Sequence, residues 1–206
     1  MRFKRFAVIL AALTMMGAVP AGTAAARSAQ KPAVSADISS VLNNNDVKQV
    51  RADAIKIAED LAGKGSYKLG SMHDDLSRWT GKADASGYIS YILHKAGAKG
   101  FAGDKGLNTA QLKNIGKKVA KNELKPGDLL IKTGSVSNNK YVSHVLMYIG
   151  KTRLGNFTIA ECTKNSRKNG PQLNGYESYE AFAKARAGFD DIIDPFIRQD
   201  KQTNHN

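Results

Sequence analysis

The chain has 206 residues, and its 31 Lys and Arg against 18 Asp and Glu give a formal net charge of +13. This length is sufficient for one compact domain with a hydrophobic core. The single cysteine, Cys162, excludes an internal disulfide. The charge favours anionic polymers, peptide carboxylates or phospholipid head groups as partners, and we expect no nucleic acid partner for an exported chain. A basic surface that serves only solubility explains the charge equally well.

Residues 1–26 have the pattern of a secretory signal peptide. Basic residues precede an apolar run over residues 6–19, and Ala24, Ala25 and Ala26 provide the small residues that a signal peptidase needs. The run is too short to span a bilayer with margin, and no later stretch is apolar enough to do so. We therefore expect a secreted or periplasmic protein without a membrane anchor.

The rest of the chain is expected to contain one domain with flexible ends. Residues 27–45 are rich in Ala, Ser and Asn, which is typical of a flexible leader. Residues 46–198 carry the periodic apolar positions of a folded domain, and residues 199–206 form a polar tail. The predicted helices are 46–62, 85–96, 109–115 (capped by Thr109) and 177–187, and the predicted strands are 129–132, 142–149 and 157–162, with 189–197 closing the sheet. This order predicts an α+β fold, in which a helix packs on an antiparallel sheet.

Residues 84–87 read Asp-Ala-Ser-Gly at the predicted start of the second helix. A helix start presents unpaired N–H groups and a partial positive charge, which lower the pKa of a thiol and can hold an oxyanion. The position suits a nucleophile, but Ala85 has no nucleophilic atom. Ser86 points about 100° away around the helix, so we interpret it as a capping residue. Taken alone, the tetrapeptide is also an ordinary helix start.

His144 and Glu161 are predicted to face each other across two antiparallel strands. If the strand that ends at Gly150 pairs with one that begins at Gly155, Glu161 lies directly opposite His144 and on the same face. A carboxylate there would hold the imidazole in one tautomer. A register shift of one residue in the connecting loop would break this pairing and leave Glu161 as a surface residue. Cys162 would point to the opposite face as a small buried hydrophobe.

The two motifs resemble the NlpC family of papain-like cell-wall cysteine peptidases. The family carries Asp-Cys-Ser-Gly where this chain has residues 84–87, and His-Val-x-x-Tyr-Ile-Gly where it has residues 144–150. Ala85 therefore stands where the family has its nucleophilic cysteine. The resemblance covers about residues 47–197 and implies a papain-like fold, in which an antiparallel sheet packs against an N-terminal active-site helix.

The same resemblance implies roles for three further residues. His144 matches the family's general base, and Glu161 stands at the site of its third polar residue, which is more often His. Tyr67, followed by Gly70, matches a tyrosine that lines the family's active site and helps to hold the oxyanion. No His, Cys, Asp and Glu spacing indicates a metal site, and no phosphate or dinucleotide motif is present. We therefore expect neither a metal nor a cofactor.

The function implied by the resemblance is that of a secreted peptidoglycan hydrolase. Its commonest target is the amide between D-glutamate and the diamino acid of a wall peptide stem. A cysteine at position 85 would attack the carbonyl, His144 would transfer the proton, and Glu161 would orient His144. With Ala85 the chain is expected to be inactive, whether this alanine is engineered or natural.

Two other functions fit the same sequence. One is a natural, non-catalytic wall-binding module that uses the same cleft, and the other is an amidase or acyltransferase of the same fold. The expected partners are peptidoglycan peptide stems and anionic wall polymers, with an inhibitor or immunity protein as a further candidate. We expect the protein to be a monomer.

Overall fold

A computed structural model of the chain describes residues 44–134, 136–137, 140–141, 143–165 and 168–197. The predicted signal peptide, almost all of the predicted leader and the predicted tail lie outside these residues. The described residues belong to a single compact unit. No helix within the described ranges is both long enough and apolar enough to cross a membrane.

Four helices and one 3₁₀ turn occur in the described residues. They are α1 (Asn44–Leu61), α2 (Ala85–Lys95), α3 (Thr109–Leu112), the 3₁₀ turn Lys121–Glu123 and α4 (Tyr179–Ala185). Helices α1 and α2 match the prediction within two residues at each end. The predicted cap of α3 is wrong, because Asn108 accepts a hydrogen bond from the backbone of Gln111, whose side chain accepts one from the backbone of Asn108. This reciprocal pair starts the helix one residue after the cap.

Ten strands in the described residues form three sheets. They are β1 (Ser66–Tyr67), β2 (Lys82–Ala83), β3 (Lys117–Lys118), β4 (Leu129–Lys132), β5 (Val136–Ser137), β6 (Lys140–Tyr141), β7 (His144–Thr152), β8 (Gly155–Lys164), β9 (Asn169–Tyr176) and β10 (Asp191–Asp194). The main sheet is antiparallel, with the order β3-β10-β4-β7-β8-β9. Strands β1 and β2 form a parallel pair, and β5 and β6 form a hairpin.

The main sheet has a hydrophobic core on each face. One core includes residues of α1 and α2 packed against Val145, Met147 and Cys162, and the other joins α4 to Leu146 and Ile159. Successive residues of a strand point to opposite faces, so β7 and β8 contribute to both cores. A helix packed on an antiparallel sheet is the predicted arrangement, and the α+β fold is confirmed.

The register between β7 and β8 differs from the prediction. Met147 pairs with Ala160, and Thr152 pairs with Gly155. The predicted pairing of Gly150 with Gly155 is wrong, because β7 continues to Thr152 and the turn holds only two residues, the usual length for a hairpin. Continued back to the start of β7, this register places His144 opposite Thr163, two residues beyond Glu161 on the same face.

Arg51 ties α1 to the main sheet at one end of the interior strands β4 and β10. Its Nη1 lies 2.6 Å from Oδ1 of Asp128, and its Nη2 lies 2.6 Å from Oδ2 of Asp194. The guanidinium also lies over the ring of Phe196, 4.6 Å from the ring centroid. Both carboxylates are almost completely buried, so Arg51 supplies the charge that makes their burial tolerable. This ion cluster fixes α1 on the same sheet that carries His144.

Candidate active site

Asp84 organises the start of α2. Its Oδ1 accepts a 2.7 Å hydrogen bond from the backbone N–H of Gly87, which caps the helix. The same carboxylate accepts hydrogen bonds from the hydroxyl of Ser86 and the backbone N–H of Gly70, and it lies 3.0 Å from Nε2 of His73. Four separate groups therefore hold one buried carboxylate at the helix start.

The charge on Asp84 is stabilised by these partners. Burial alone would raise the pKa of this carboxyl, but the hydrogen bonds from His73 and from the backbone of Gly87 outweigh it and lower the pKa. The hydrogen bond with Asp84 raises the pKa of His73 in return. His73 lies in the irregular segment before β2, where no periodicity could have revealed its partner.

Position 85 is the first residue of α2, and Ala85 is only 7% exposed. Within the described residues, the backbone N–H groups of Ala85 and Ser86 have no hydrogen-bond acceptor. Such free N–H groups at a helix start can stabilise an oxyanion. Ser86 does not cap the helix, since its hydroxyl donates to Asp84, which is the cap. The helix start therefore offers oxyanion donors beside a residue that cannot attack.

Gly87 allows a neighbouring segment to pack against this helix start. A Cβ atom at position 87 would collide with the carbonyl oxygen of Ser71 and approach the side chain of Met72. The glycine of the Asp-Ala-Ser-Gly motif is thus required by the close approach of the chain that follows Tyr67. This contact fixes the segment of residues 70–72 over the start of α2.

The structure brings His144 and Glu161 together despite the shifted register. Nε2 of His144 lies 2.8 Å from Oε2 of Glu161. The contact is diagonal across β7 and β8, which long side chains on one face can reach. A carboxylate fixes the proton on Nε2 of a neutral imidazole, and this leaves Nδ1 as the proton acceptor. Nδ1 has no hydrogen-bond partner within the described part of the chain.

Glu161 is held by more partners than the sequence indicated. Arg186 donates to both carboxylate oxygens, at 2.9 and 2.8 Å, and Nδ2 of Asn174 donates to Oε1 at 2.7 Å. Burial would raise the pKa of Glu161, but hydrogen bonds from Arg186 and His144 lower it to about 2. Glu161 is therefore a buried carboxylate, ionised at neutral pH, that fixes one nitrogen of His144.

Arg186 and Asn174 were not identified from the sequence. Arg186 follows the last turn of α4, and Asn174 lies in β9, whose glycines and proline give no strand signal. Only the tertiary structure brings both to Glu161. A basic residue near the end of a helix is too common to predict such a contact.

His144 and Tyr67 line one cleft of about 540 Å³. The other lining residues are Lys132, Ser143, Thr163, Ala185, Arg186, Ala187 and Phe189. Burial, with smaller effects of Asp84 and Cys162, raises the pKa of Tyr67, so its hydroxyl is protonated and can donate a hydrogen bond at neutral pH. Ala85 does not line this cleft and belongs to the core on the α2 face of the sheet.

Position 85 is linked to the cleft through the backbone just before it. Tyr67 pairs with Ala83 where β1 and β2 run parallel, and Ala83 lies two residues before Ala85 in the chain. The thiol of Cys162, which follows Glu161 in β8, donates a hydrogen bond to the carbonyl oxygen of Ala83 at 3.2 Å. Tyr67 and β8 thus flank the chain that enters α2, and the link from Ala85 to the His144–Glu161 pair is indirect.

Cys162 is not placed as a substitute nucleophile. Its side chain is completely buried, and it lies in the core on the face opposite the Glu161 carboxylate. Burial, reinforced by the charges of Asp84 and Glu161, raises the pKa of the Cys162 thiol to about 12. Such a thiol is protonated at neutral pH and is a poor nucleophile. No group of three His, Cys, Asp or Glu side chains in the described ranges could hold a metal ion.

Comparison with known proteins identifies a family. The family model described as the NlpC/P60 family matches residues 63–174. The match spans more than half of the chain, so the chain belongs to this family, whose members are cysteine peptidases and amidases that act on peptidoglycan. A comparison with curated proteins gives no match.

Several solved structures are similar to the chain. NlpC2 from Trichomonas vaginalis is 14% identical with a TM-score of 0.47, and the match covers 64% of this chain and 43% of that one. NlpC1 from the same organism is 15% identical with a TM-score of 0.46, over 66% and 41% of the two chains. A lipoprotein-like NLP/P60 family protein from Staphylococcus aureus subsp. aureus Mu50 is 20% identical with a TM-score of 0.42, over 79% and 45%. The chain thus spans less than half the length of these proteins.

Proposed function

We propose that this member of the NlpC/P60 family is the nucleophile-free form of a secreted peptidoglycan hydrolase. The parent enzyme cleaves an amide in wall peptide stems, with the bond between D-glutamate and the diamino acid as the expected target. The observation that carries the proposal is the 2.8 Å contact between His144 and Glu161 in a cleft shared with Tyr67. The residues that would assist a nucleophile are present, and Ala85 replaces the nucleophile itself.

The proposed reaction proceeds through a thioester. In the parent enzyme, the thiol at position 85 gives its proton to Nδ1 of His144 and attacks the scissile carbonyl carbon. The free N–H groups at the start of α2 and the hydroxyl of Tyr67 hold the oxyanion. The C–N bond then breaks, and His144 returns the proton to the leaving amine. Water, deprotonated by His144, releases the stem fragment as a carboxylic acid and restores the thiol.

The first test is to restore the nucleophile. The chain with Ala85 is expected to release no stem fragments from muropeptides, whereas Ala85→Cys is expected to cleave them, because the substitution supplies the one missing reactive atom. Mass spectrometry of muropeptide digests identifies both the activity and the bond that is cut. Equal cleavage by the two proteins would contradict the assignment of position 85.

A non-catalytic wall-binding module is the second candidate. The low exposure of Ala85 favours this second candidate. Ala85 packs in the core on the α2 face, and the cleft is formed without it. If Ala85→Cys folds but cleaves nothing, while the chain with Ala85 sediments with purified sacculi, the binding module replaces the hydrolase. Gain of cleavage activity by Ala85→Cys would favour the hydrolase instead.

A further inference from the structure

The cleft beside His144 carries an uncompensated positive charge. Within the described part of the chain, the charged or titratable side chains that line it are Tyr67, Lys132, His144 and Arg186, and no carboxylate is among them. Arg186 is already neutralised by both oxygens of Glu161, which is only 1% exposed beneath it. Lys132 is therefore the cation whose charge remains available to a ligand in this cleft.

Lys132 is held next to His144 by the sheet. The two residues are direct partners in the antiparallel pairing of β4 with β7, so their side chains share one face. The nearby Asp191 pairs with Ile131, whose side chain faces the core on the other side of the sheet. The carboxylate of Asp191 forms ion pairs with Lys113 and Lys118. Among the described residues that line the cleft none is acidic, so no carboxylate of this lining competes for Lys132.

The side chain of Lys132 is also fixed along its length. It lies against Gly188, where a Cβ atom would come within 3.1 Å of Cε of Lys132, and Gly188 has a φ of +89°. Its Nζ donates a 3.1 Å hydrogen bond to the carbonyl oxygen of Ala187. A lysine ammonium has two further N–H donors, and the neutral carbonyl does not balance its charge. The ammonium is thus held in place with donors left for an anion.

We infer that Lys132 is a specificity-determining residue that binds a carboxylate of the peptide stem in this cleft. The inference rests on the proposed function. Because Lys132 is the cross-strand neighbour of His144, the bound carboxylate lies on a residue adjoining the scissile amide, either the D-glutamate or the diamino acid. Replacing that carboxylate with a carboxamide removes the charge while keeping nearly the same shape.

The test measures binding rather than turnover, so the chain with Ala85 is used. Calorimetry compares a stem tripeptide that carries free carboxylates with two analogues, one amidated at the D-glutamate and one at the diamino acid. Loss of one charge-assisted hydrogen bond is expected to weaken one of the analogues about tenfold. Lys132→Gln is expected to weaken the free tripeptide by the same factor and to remove the difference between it and that analogue. Lys151→Gln, an exposed change on the same sheet and outside the cleft lining, is expected to preserve the difference.

The outcomes separate the inference from the proposed function. Equal binding of all three peptides, or a preference for the free carboxylate that survives Lys132→Gln, would overturn the role of Lys132 while leaving the hydrolase intact. Absence of binding of every tripeptide would contradict the peptide-stem substrate and the inference together. A preference lost in both lysine variants would show a general charge effect and would also overturn the inference.

Discussion

In a protein that carries Ala85→Cys, His144→Ala is expected to abolish hydrolysis, whereas Glu161→Gln is expected to leave a measurable part of it. His144 transfers the proton in both halves of the reaction, and such general acid–base catalysis contributes about 10²–10⁴-fold. Glu161 only fixes the imidazole, and a glutamine oxygen can still accept the hydrogen bond from Nε2. Initial rates of muropeptide cleavage for the three proteins measure the difference.

His94→Ala is the matched control for this comparison. His94 packs edge-on against Phe101 and lies 3.2 Å from Asp104, away from the cleft residues. Its loss is expected to leave the rate of Ala85→Cys nearly unchanged. Full activity of the His144→Ala protein would contradict the proposed site, while equal loss in the Glu161→Gln and His144→Ala proteins would give Glu161 a larger role than orientation.

The second large effect concerns stability. Arg186→Gln is expected to lower the free energy of unfolding by about 3 kcal/mol, because it leaves the buried carboxylate of Glu161 without its cation. This value is at the low end of the usual cost of removing one partner of a buried ion pair. We choose it because the Arg186 side chain is 28% exposed. Denaturant unfolding of the purified proteins at pH 7 measures the loss. Lys184→Gln, at an exposed position of α4, is the control and is expected to change little.

The same ion pair predicts a pH dependence. The pKa of Glu161 is about 2 in the folded protein, whereas the ordinary pKa of a glutamate side chain is 4.5. The folded state therefore favours the ionised form. The stability from this group is therefore complete above about pH 4.5 and is lost as the pH falls toward 2. Unfolding curves between pH 6 and 3 are expected to show this loss in the original protein and less of it in Arg186→Gln. An identical acid dependence in both would contradict the role of Arg186 in holding the charge.

Local sequence predicted the parts of the site that lie within single elements. The apolar spacing after Ala85 and the glycine at position 97 define α2, because helical periodicity and a C-terminal glycine are both local signals. The alternation that places His144 and Leu146 on one face follows from strand geometry alone. The order of the predicted helices and strands was sufficient for the α+β fold, and the motifs at residues 84–87 and 144–150 were sufficient to suggest the family.

The long-range contacts of the site could not be predicted from the sequence. Strand β9 contains two glycines and a proline, and it forms because it pairs along β8 as an edge strand, where a proline is tolerated. Arg186 and Asn174 reach Glu161 only once β9 and the end of α4 are in place. The predicted register was wrong because β7 extends two residues beyond Gly150, to Thr152, yet the diagonal contact still brings His144 to Glu161.

The most direct test of the central claim is to map the covalent intermediate. The Ala85→Cys protein is mixed briefly with a muropeptide, quenched in acid, digested and examined by mass spectrometry for an acyl group. We expect an acyl adduct on the peptide that contains position 85, none on the peptide that contains Cys162, and none in a protein that also carries His144→Ala. An adduct on Cys162, or stem cleavage without any adduct at position 85, would contradict the central claim.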